Sequence, residues 1–369
     1  MSVPARKAGG GIFILSNMRD YGGAERSIAT LLPHLAAALP VRIFAEHARH
    51  IVELERMAGP NLRVVRCPPG ISLWSTGRAF ALVLWHFLRE PPAVILANGH
   101  KGAVMLAALR RLVPWSRARF AVYVRDFSFF TMPRLLRHLP GATWFAPSQA
   151  VFDHPQYRAW GLDRARCEVV ANGVEPATRE PYESDPPYIG CCARLTPWKG
   201  IDCLIRAFQR IAQEHPTVRL HICGEEREAG YAASLRRLAK ELGVAGRVDF
   251  RSFVADPAEM YAGGSVFVVP SLNQHPGPET FCRVIIEAWA YRKPVVAFAV
   301  GGPKYLIADG ADGFLVEEKN IAQLADRVLE LLRDPALRAR MGESGWRRTQ
   351  TEFAPAVIAR QLLDRIFTE

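Results

Sequence analysis

Two glutamates, two cations and a pair of glycines stand out because each sits where a strand-like run gives way to a helix-like one. Glu279 lies in a polar, Pro-rich loop after the apolar run SVFVVPS, and Glu287 follows eight residues later, two turns into an amphipathic segment that opens near Phe281 and Cys282. A helix N-terminus carries unpaired N–H groups and a partial positive charge, which suits a diphosphate. Carboxylates before and along that helix can accept hydrogen bonds from two sets of sugar hydroxyls. The alternative is a capping acid at Glu279 and a solvated face at Glu287. Against it, Glu287 is set among Val284, Ile285, Ile286, Ala288 and Trp289.

Arg194 and Lys199 lie five residues apart in CCARLTPWKG, again between a strand-like run and a helix. On such a loop an arginine fork and a lysine point charge can grip one diphosphate, although loop cations are commonly plain surface charge. Gly22 and Gly23 separate the first apolar run from the first amphipathic one, where chain and ligand can approach closely. No G-x-G-x-x-G fingerprint accompanies them.

The elements that must position these residues alternate. GIFILSNM, VRIFAE, LRVVRC, AVILAN, RFAVYVR and TWFAPS are short apolar runs separated by helical stretches. The stretch EVVANGVEPATREPYESDPPYIG reads as an interdomain linker. The pattern then restarts through YIGCCAR, VRLHICGE, RVDFRSF, SVFVVPS, PVVAFAV and GFLV, each followed by a loop or helix. Buried strands alternating with helices predict parallel sheets covered on both faces. The expected organisation is two doubly wound, Rossmann-like α/β domains: residues 1–178, with a final helix at 353–369 packing back on them, and residues 179–352. A cleft between the carboxyl ends of the two sheets is expected to take the ligands.

The motifs resemble the signature of the family-4 retaining glycosyltransferases, which have the GT-B fold. Residues 269–302 carry the closest likeness: Pro-Ser after a strand, a glutamate, seven residues, Glu-Ala-x-Ala, then PVVA and VGG. The resemblance implies a nucleotide-diphosphate sugar as donor and no cofactor or metal. Glu279 would bond donor-sugar hydroxyls and Glu287 the ribose, while backbone amides at Phe281, Cys282 and Arg283 would face the phosphates. Arg194 and Lys199 would offset the charge of the departing diphosphate. Gly22, Gly23 and Gly224 (in HICGE) would border the donor. ANGV (171–174) and FAPSQAV (145–151) are fainter echoes. Thr280 and Cys282 stand where the family usually has glycine, and Arg125-Asp126 where relatives often have His-Asp at the reaction centre. Arg125 then either pairs with an internal acid or binds an anionic group; Asp126 and His100 are further candidates facing the acceptor. The rival readings are a sugar-nucleotide epimerase of the same fold and a basic lipid- or nucleic-acid-binding module.

Charge is one-sided. Residues 1–178 hold 22 Lys and Arg against 11 Asp and Glu, whereas residues 179–369 hold 25 of each. A local surplus points to an anionic partner: a lipid-linked, saccharide or other anionic acceptor, or an anionic membrane surface touched peripherally. The candidates for that surface are Arg110, Arg111, Arg117 and Arg119 around Trp115. No recognition motif for nucleic acid accompanies the charge. Seven scattered cysteines without C-x-x-C predict neither a zinc site nor a disulfide framework, and fit a cytoplasmic protein. No apolar run reaches the roughly 20 residues a spanning helix needs, and no secretory leader is expected.

Overall fold

The computed structural model describes residues 10–16, 21–70, 72–127, 139–251, 257–274 and 277–367. Most of the basic stretch FFTMPRLLRHLP lies outside these, as do Arg19 and Asp20 of the first loop and His275-Pro276 of the Pro-rich loop. The chain divides into two compact units, residues 1–173 with 355–369, and residues 174–354.

The first unit runs β1 (Ile12–Ser16), α1 (Gly23–Ala38), β2 (Val41–Ala45), α2 (Ala48–Arg56), β3 (Leu62–Arg66), α3 (Leu73–Arg89), β4 (Val94–Asn98), α4 (His100–Leu112), β5 (Arg119–Tyr123) and β6 (Thr143–Ala146). Two short helices follow, α5 (Gln149–Asp153) and α6 (Pro155–Ala159), then β7 (Cys167–Val169). The strands form one parallel sheet in the order β3-β2-β1-β4-β5-β6-β7. β1, β2 and β4 are buried at every position, which is why their sequences are unbroken apolar runs rather than alternating ones. One face is covered by α1 and α2, the other by α3 and α4.

The second unit runs β8 (Tyr188–Cys192), α7 (Ile201–Glu214), β9 (Arg219–Cys223), α8 (Tyr231–Glu241), β10 (Val248–Arg251), α9 (Ala258–Gly263), β11 (Val266–Val269), α10 (Arg283–Ala290), β12 (Val295–Phe298), α11 (Gly302–Leu306) and β13 (Gly313–Val316). It closes with α12 (Ile321–Arg333) and α13 (Pro335–Thr351). Its sheet is parallel throughout, in the order β10-β9-β8-β11-β12-β13. The last helix, α14 (Pro355–Phe367), belongs to the first unit, where Ile358, Leu362 and Ile366 join the core beneath α1.

Three sequence expectations change. The linker begins later than its composition suggested: Cys167–Val169 pairs with β6 as a seventh strand, and Val170 and Asn172 are buried. Being three residues long and at an edge, β7 carries too little apolar pattern to be read. In the apolar run GIFILSNM the strand starts at Ile12 rather than at Gly11, and Asn17 and Met18 lie outside the described residues. α10 starts at Arg283 rather than near Phe281, because Cys282 is its N-cap with a left-handed φ of 77°.

Candidate active site

In each sheet the strand order reverses once, between β1 and β4 in the first unit and between β8 and β11 in the second. Loops diverge after such a pair, leaving a crevice at the carboxyl ends. The sequence-predicted residues fall there: Gly22, Gly23 and His100 after β1 and β4, Arg194, Lys199 and Glu279 after β8 and β11.

In the second unit, β8 and β11 are neighbours although their loops are 80 residues apart in sequence. Lys199 ends a 3-10 turn, Pro197–Lys199, and Gly200 follows with a left-handed φ of 62°. A Cβ on Gly200 would run into the Pro270 carbonyl oxygen, so the turn lies directly on the end of β11. The Leu272 amide donates to the Trp198 carbonyl at 2.8 Å, fastening the second loop to the first. As a result the Lys199 ammonium meets the Glu279 carboxylate, with both side chains largely buried. Ser271 donates to the same carboxylate at 3.1 Å, and the Lys199 ammonium lies 4.1 Å from the centre of the Trp198 ring. Glu279 is therefore not a plain helix cap.

Arg194 stands at the other end of this loop, exposed. Gly224 sets its height: a Cβ there would strike the Ala193 carbonyl oxygen, so the end of β9 lies against the chain that leads to Arg194. The guanidinium of Arg194 has no hydrogen-bond or ion-pair partner among the described residues, which leaves its fork available to an anion.

Glu287 is buried, which overturns the solvated-face alternative. Tyr261 donates to its Oε2 at 2.8 Å, and Arg283 pairs with Oε1 at 3.2 Å, one turn back on α10. Ahead of that helix, Gly301 and Gly302 hold the Glu279–Phe281 backbone. Side chains on them would overlap Glu279 and Phe281, and the Gly302 amide donates to the Glu279 carbonyl at 2.6 Å. Burial pushes the Cys282 thiol up, so it stays protonated and unreactive at neutral pH.

In the first unit Gly22 caps α1 in an extended conformation, and its amide donates to Glu25 Oε2 at 2.8 Å. Glu25 is buried at this helix start, and burial raises its pKa. Among the described residues, a Cβ on Gly22 would meet nothing nearer than Glu25 Oε2 at 3.7 Å. Beneath it Arg125 is buried as a hub. It donates to Asn98 Oδ1 at 2.7 Å, Ser27 Oγ at 3.1 Å and Asn172 Oδ1 at 2.7 Å, and lies 3.4 Å from the Tyr123 ring centre. Asn98 donates in turn to Ser16 Oγ at 3.2 Å. Arg125 thus ties together the ends of β1, β4, β5 and β7. Asp126 follows it, half-buried, with its carbonyl accepting from the Tyr157 hydroxyl at 2.9 Å. His100 opens α4 behind Gly99, whose φ is 113°.

Ser271, Tyr261 and the Ser27–Asn98–Asn172 set were not among the sequence candidates. The serine was visible as the polar residue closing an apolar strand, and Asn172 as part of ANGV.

A pair of Rossmann-like units with charged loops at the switch points defines the GT-B class of fold. HepE of Anabaena, solved in complex with UDP-glucose, superposes with a TM-score of 0.81 over 96% of this chain and 98% of its own, at 23% identity. That likeness establishes the fold. Residues 176–348, nearly the whole second unit, match the family described as glycosyl transferases group 1. Among curated relatives, a GDP-mannose-dependent monoacylated alpha-(1-6)-phosphatidylinositol monomannoside mannosyltransferase of Corynebacterium glutamicum is 29% identical over 57% of this chain and 55% of its own. A D-inositol 3-phosphate glycosyltransferase of Streptomyces avermitilis is 37% identical over 42% of this chain and 34% of its own. The chain thus spans between about a third and about half the length of these two relatives.

Proposed function

We propose that the protein is a retaining glycosyltransferase that moves a sugar from a nucleoside-diphosphate sugar to an acceptor hydroxyl. The observation that carries the reading is the meeting of Lys199, Glu279 and Ser271 at the β8–β11 switch point, with the Arg194 guanidinium, unpartnered among the described residues, on the same loop as Lys199. The donor diphosphate lies across Arg194, Lys199 and the amides before α10, with Glu279 turned to the sugar and Glu287 to the ribose. The acceptor oxygen bonds to the anomeric carbon on the face that the diphosphate leaves. The carbon–oxygen bond to the diphosphate breaks, and the acceptor proton passes to a departing phosphate oxygen. Arg194 and Lys199 offset the charge that develops there, so no divalent metal takes part.

The first unit presents the acceptor. Its basic surplus suits a phosphate-bearing one, and both curated relatives named above act on phosphorylated inositol compounds by name. The phosphatidylinositol compound in the first relative's name supports a place in glycolipid or glycan synthesis, and the one-sided basic charge supports peripheral contact with the cytoplasmic face of an anionic membrane.

A melting-temperature screen against UDP-, GDP-, ADP- and TDP-sugars tests the donor class. One of them at about 100 times its dissociation constant adds about 2.7 kcal/mol of stability. Incubating that donor with phosphoinositol acceptors then reads transfer. A protein stabilised by none of the four, or one releasing free nucleoside diphosphate at full rate without acceptor, is not this enzyme.

A further inference from the structure

The outward face of α3 is not the solvated basic face that an amphipathic core helix usually has. Trp74, Arg78, Ala81, Trp85 and Leu88 recur at steps of four and three residues, so they form one stripe along the helix, and all five are exposed. Leu73 is 94% and Trp74 77% exposed, and the Arg89 guanidinium caps the Trp85 ring at 4.3 Å from its centre. The opposite face, with Ala79, Val83 and Phe87, is in the core, together with Met105, Leu106 and Leu109 of α4. The two helices therefore cover the same face of the sheet. α4 ends in a second exposed cluster of Arg111, Leu112, Trp115 and Arg117. Six of the ten large exposed apolar side chains among the described residues lie in these two stretches. The structure also narrows the basic candidates. Arg110 lies over the Phe120 ring and reaches the Ser116 carbonyl, and Arg119 donates to the Ile366 carbonyl at 2.8 Å, so both turn inward.

We infer that the α3 stripe and the α4 end form a docking surface for an anionic lipid bilayer, with Leu73, Trp74, Trp85, Leu88, Leu112 and Trp115 entering the headgroup layer and Arg78, Arg89, Arg111 and Arg117 meeting lipid phosphates. Charge identifies the occupant. Between residues 91 and 125 the chain has no acid, and α3 has none either. The whole first unit holds 24 Lys and Arg against 12 Asp and Glu. A negative surface gathers such a field, and tryptophan and arginine are the side chains that sit at its boundary. A second copy of the chain would bring the same arginines and the same positive unit against their like, which opposes self-pairing there. This deepens the proposed function, since a docked enzyme meets a lipid-linked acceptor where that acceptor lies.

The test is flotation of the full chain with phosphatidylcholine vesicles, neutral or carrying about one third phosphatidylglycerol. No donor or acceptor is present, so failure of docking and failure of the transferase reading are separate results. Binding is expected on the anionic vesicles alone, and is expected to weaken as salt shortens the screening length. Trp74→Glu with Leu88→Glu, and separately Arg78→Glu with Arg89→Glu, should each lower the bound fraction at least tenfold with the melting temperature unchanged. If the first pair unfolds the protein, the arginine pair alone carries the test. Absence of binding at low salt, equal binding to neutral vesicles, or full binding by the arginine variant overturns the assignment. So does lipid-free self-association that Trp74→Glu abolishes, because the face would then belong to a second copy.

Discussion

Lys199 and Glu279 are partners before any ligand arrives, which complicates the usual reading of a substitution. On the proposed reading, Lys199→Ala removes a charge-assisted contact to donor phosphate worth about 1.5–3 kcal/mol, so turnover should fall roughly tenfold to more than a hundredfold. It also leaves a mostly buried carboxylate with Ser271 but without its cation, so the folded state should lose about 1–3 kcal/mol. The double variant Lys199→Ala/Glu279→Ala separates the two effects. Urea melts should show most of the stability recovered, because no unpaired charge remains, while turnover stays low. Recovery of turnover together with stability would make the pair architectural. Cys282 gives a second residue-scale expectation. Its φ of 77° is hard for any side chain and worse for a β-branched one. Cys282→Val should cost about 2 kcal/mol or more, measured by urea melts, whereas Cys282→Ser should cost less.

At the scale of elements, twelve of the thirteen strands among the described residues were legible as apolar-rich runs bounded by loops: the central β1, β2 and β4 are buried at every position, and the edge strands β3 and β10 keep enough apolar residues between their exposed polar ones to be read. β7 was not, for want of length. Site residues were legible one loop at a time, but the Lys199–Glu279 pair was not, since it depends on β8 and β11 being neighbours. The Arg125 hub has the same cause, drawing on Ser27, Asn98 and Asn172 from three distant segments. Helix starts suffered from cap geometry, as at Cys282. β9 carries a pH-dependent element. His221 is buried against the Tyr188 ring, and burial moves its pKa down to about 4 despite Asp249 beside it. The folded state therefore holds His221 neutral, while the unfolded chain takes up the proton near the usual pH 6.5. Stability from this group is complete above about pH 6.5 and is lost as pH falls towards about 4. Wild-type protein should lose about 2 kcal/mol more than His221→Phe across that window in urea melts. Equal losses would mean the imidazole is already charged when folded.

The whole molecule divides its labour by charge and by chemistry. The first unit carries the basic surplus, and the second, with 23 Lys and Arg against 24 Asp and Glu, is close to neutral. On the proposed reading, a diphosphate held by the second unit is bound by placed groups rather than by a general field: the Arg194 fork, the Lys199 ammonium and the amides ahead of α10. These lie on two loops that the Leu272–Trp198 hydrogen bond and Gly200 already hold together, so little ordering is left to do on binding. Hydrogen exchange with the stabilising nucleoside diphosphate, without sugar or acceptor, should slow in residues 194–200 and 277–285 and leave residues 98–127 unchanged. The same experiment in excess EDTA should give the same protection and the same rise in melting temperature, because fixed cations supply the field that a divalent ion would otherwise bring. Protection that vanishes with EDTA and returns with magnesium would move the diphosphate's main contact from these side chains to a metal. Protection appearing first in the Gly22–Glu25 segment would instead assign the diphosphate to the basic unit, and the neutral unit would lose its role as donor holder.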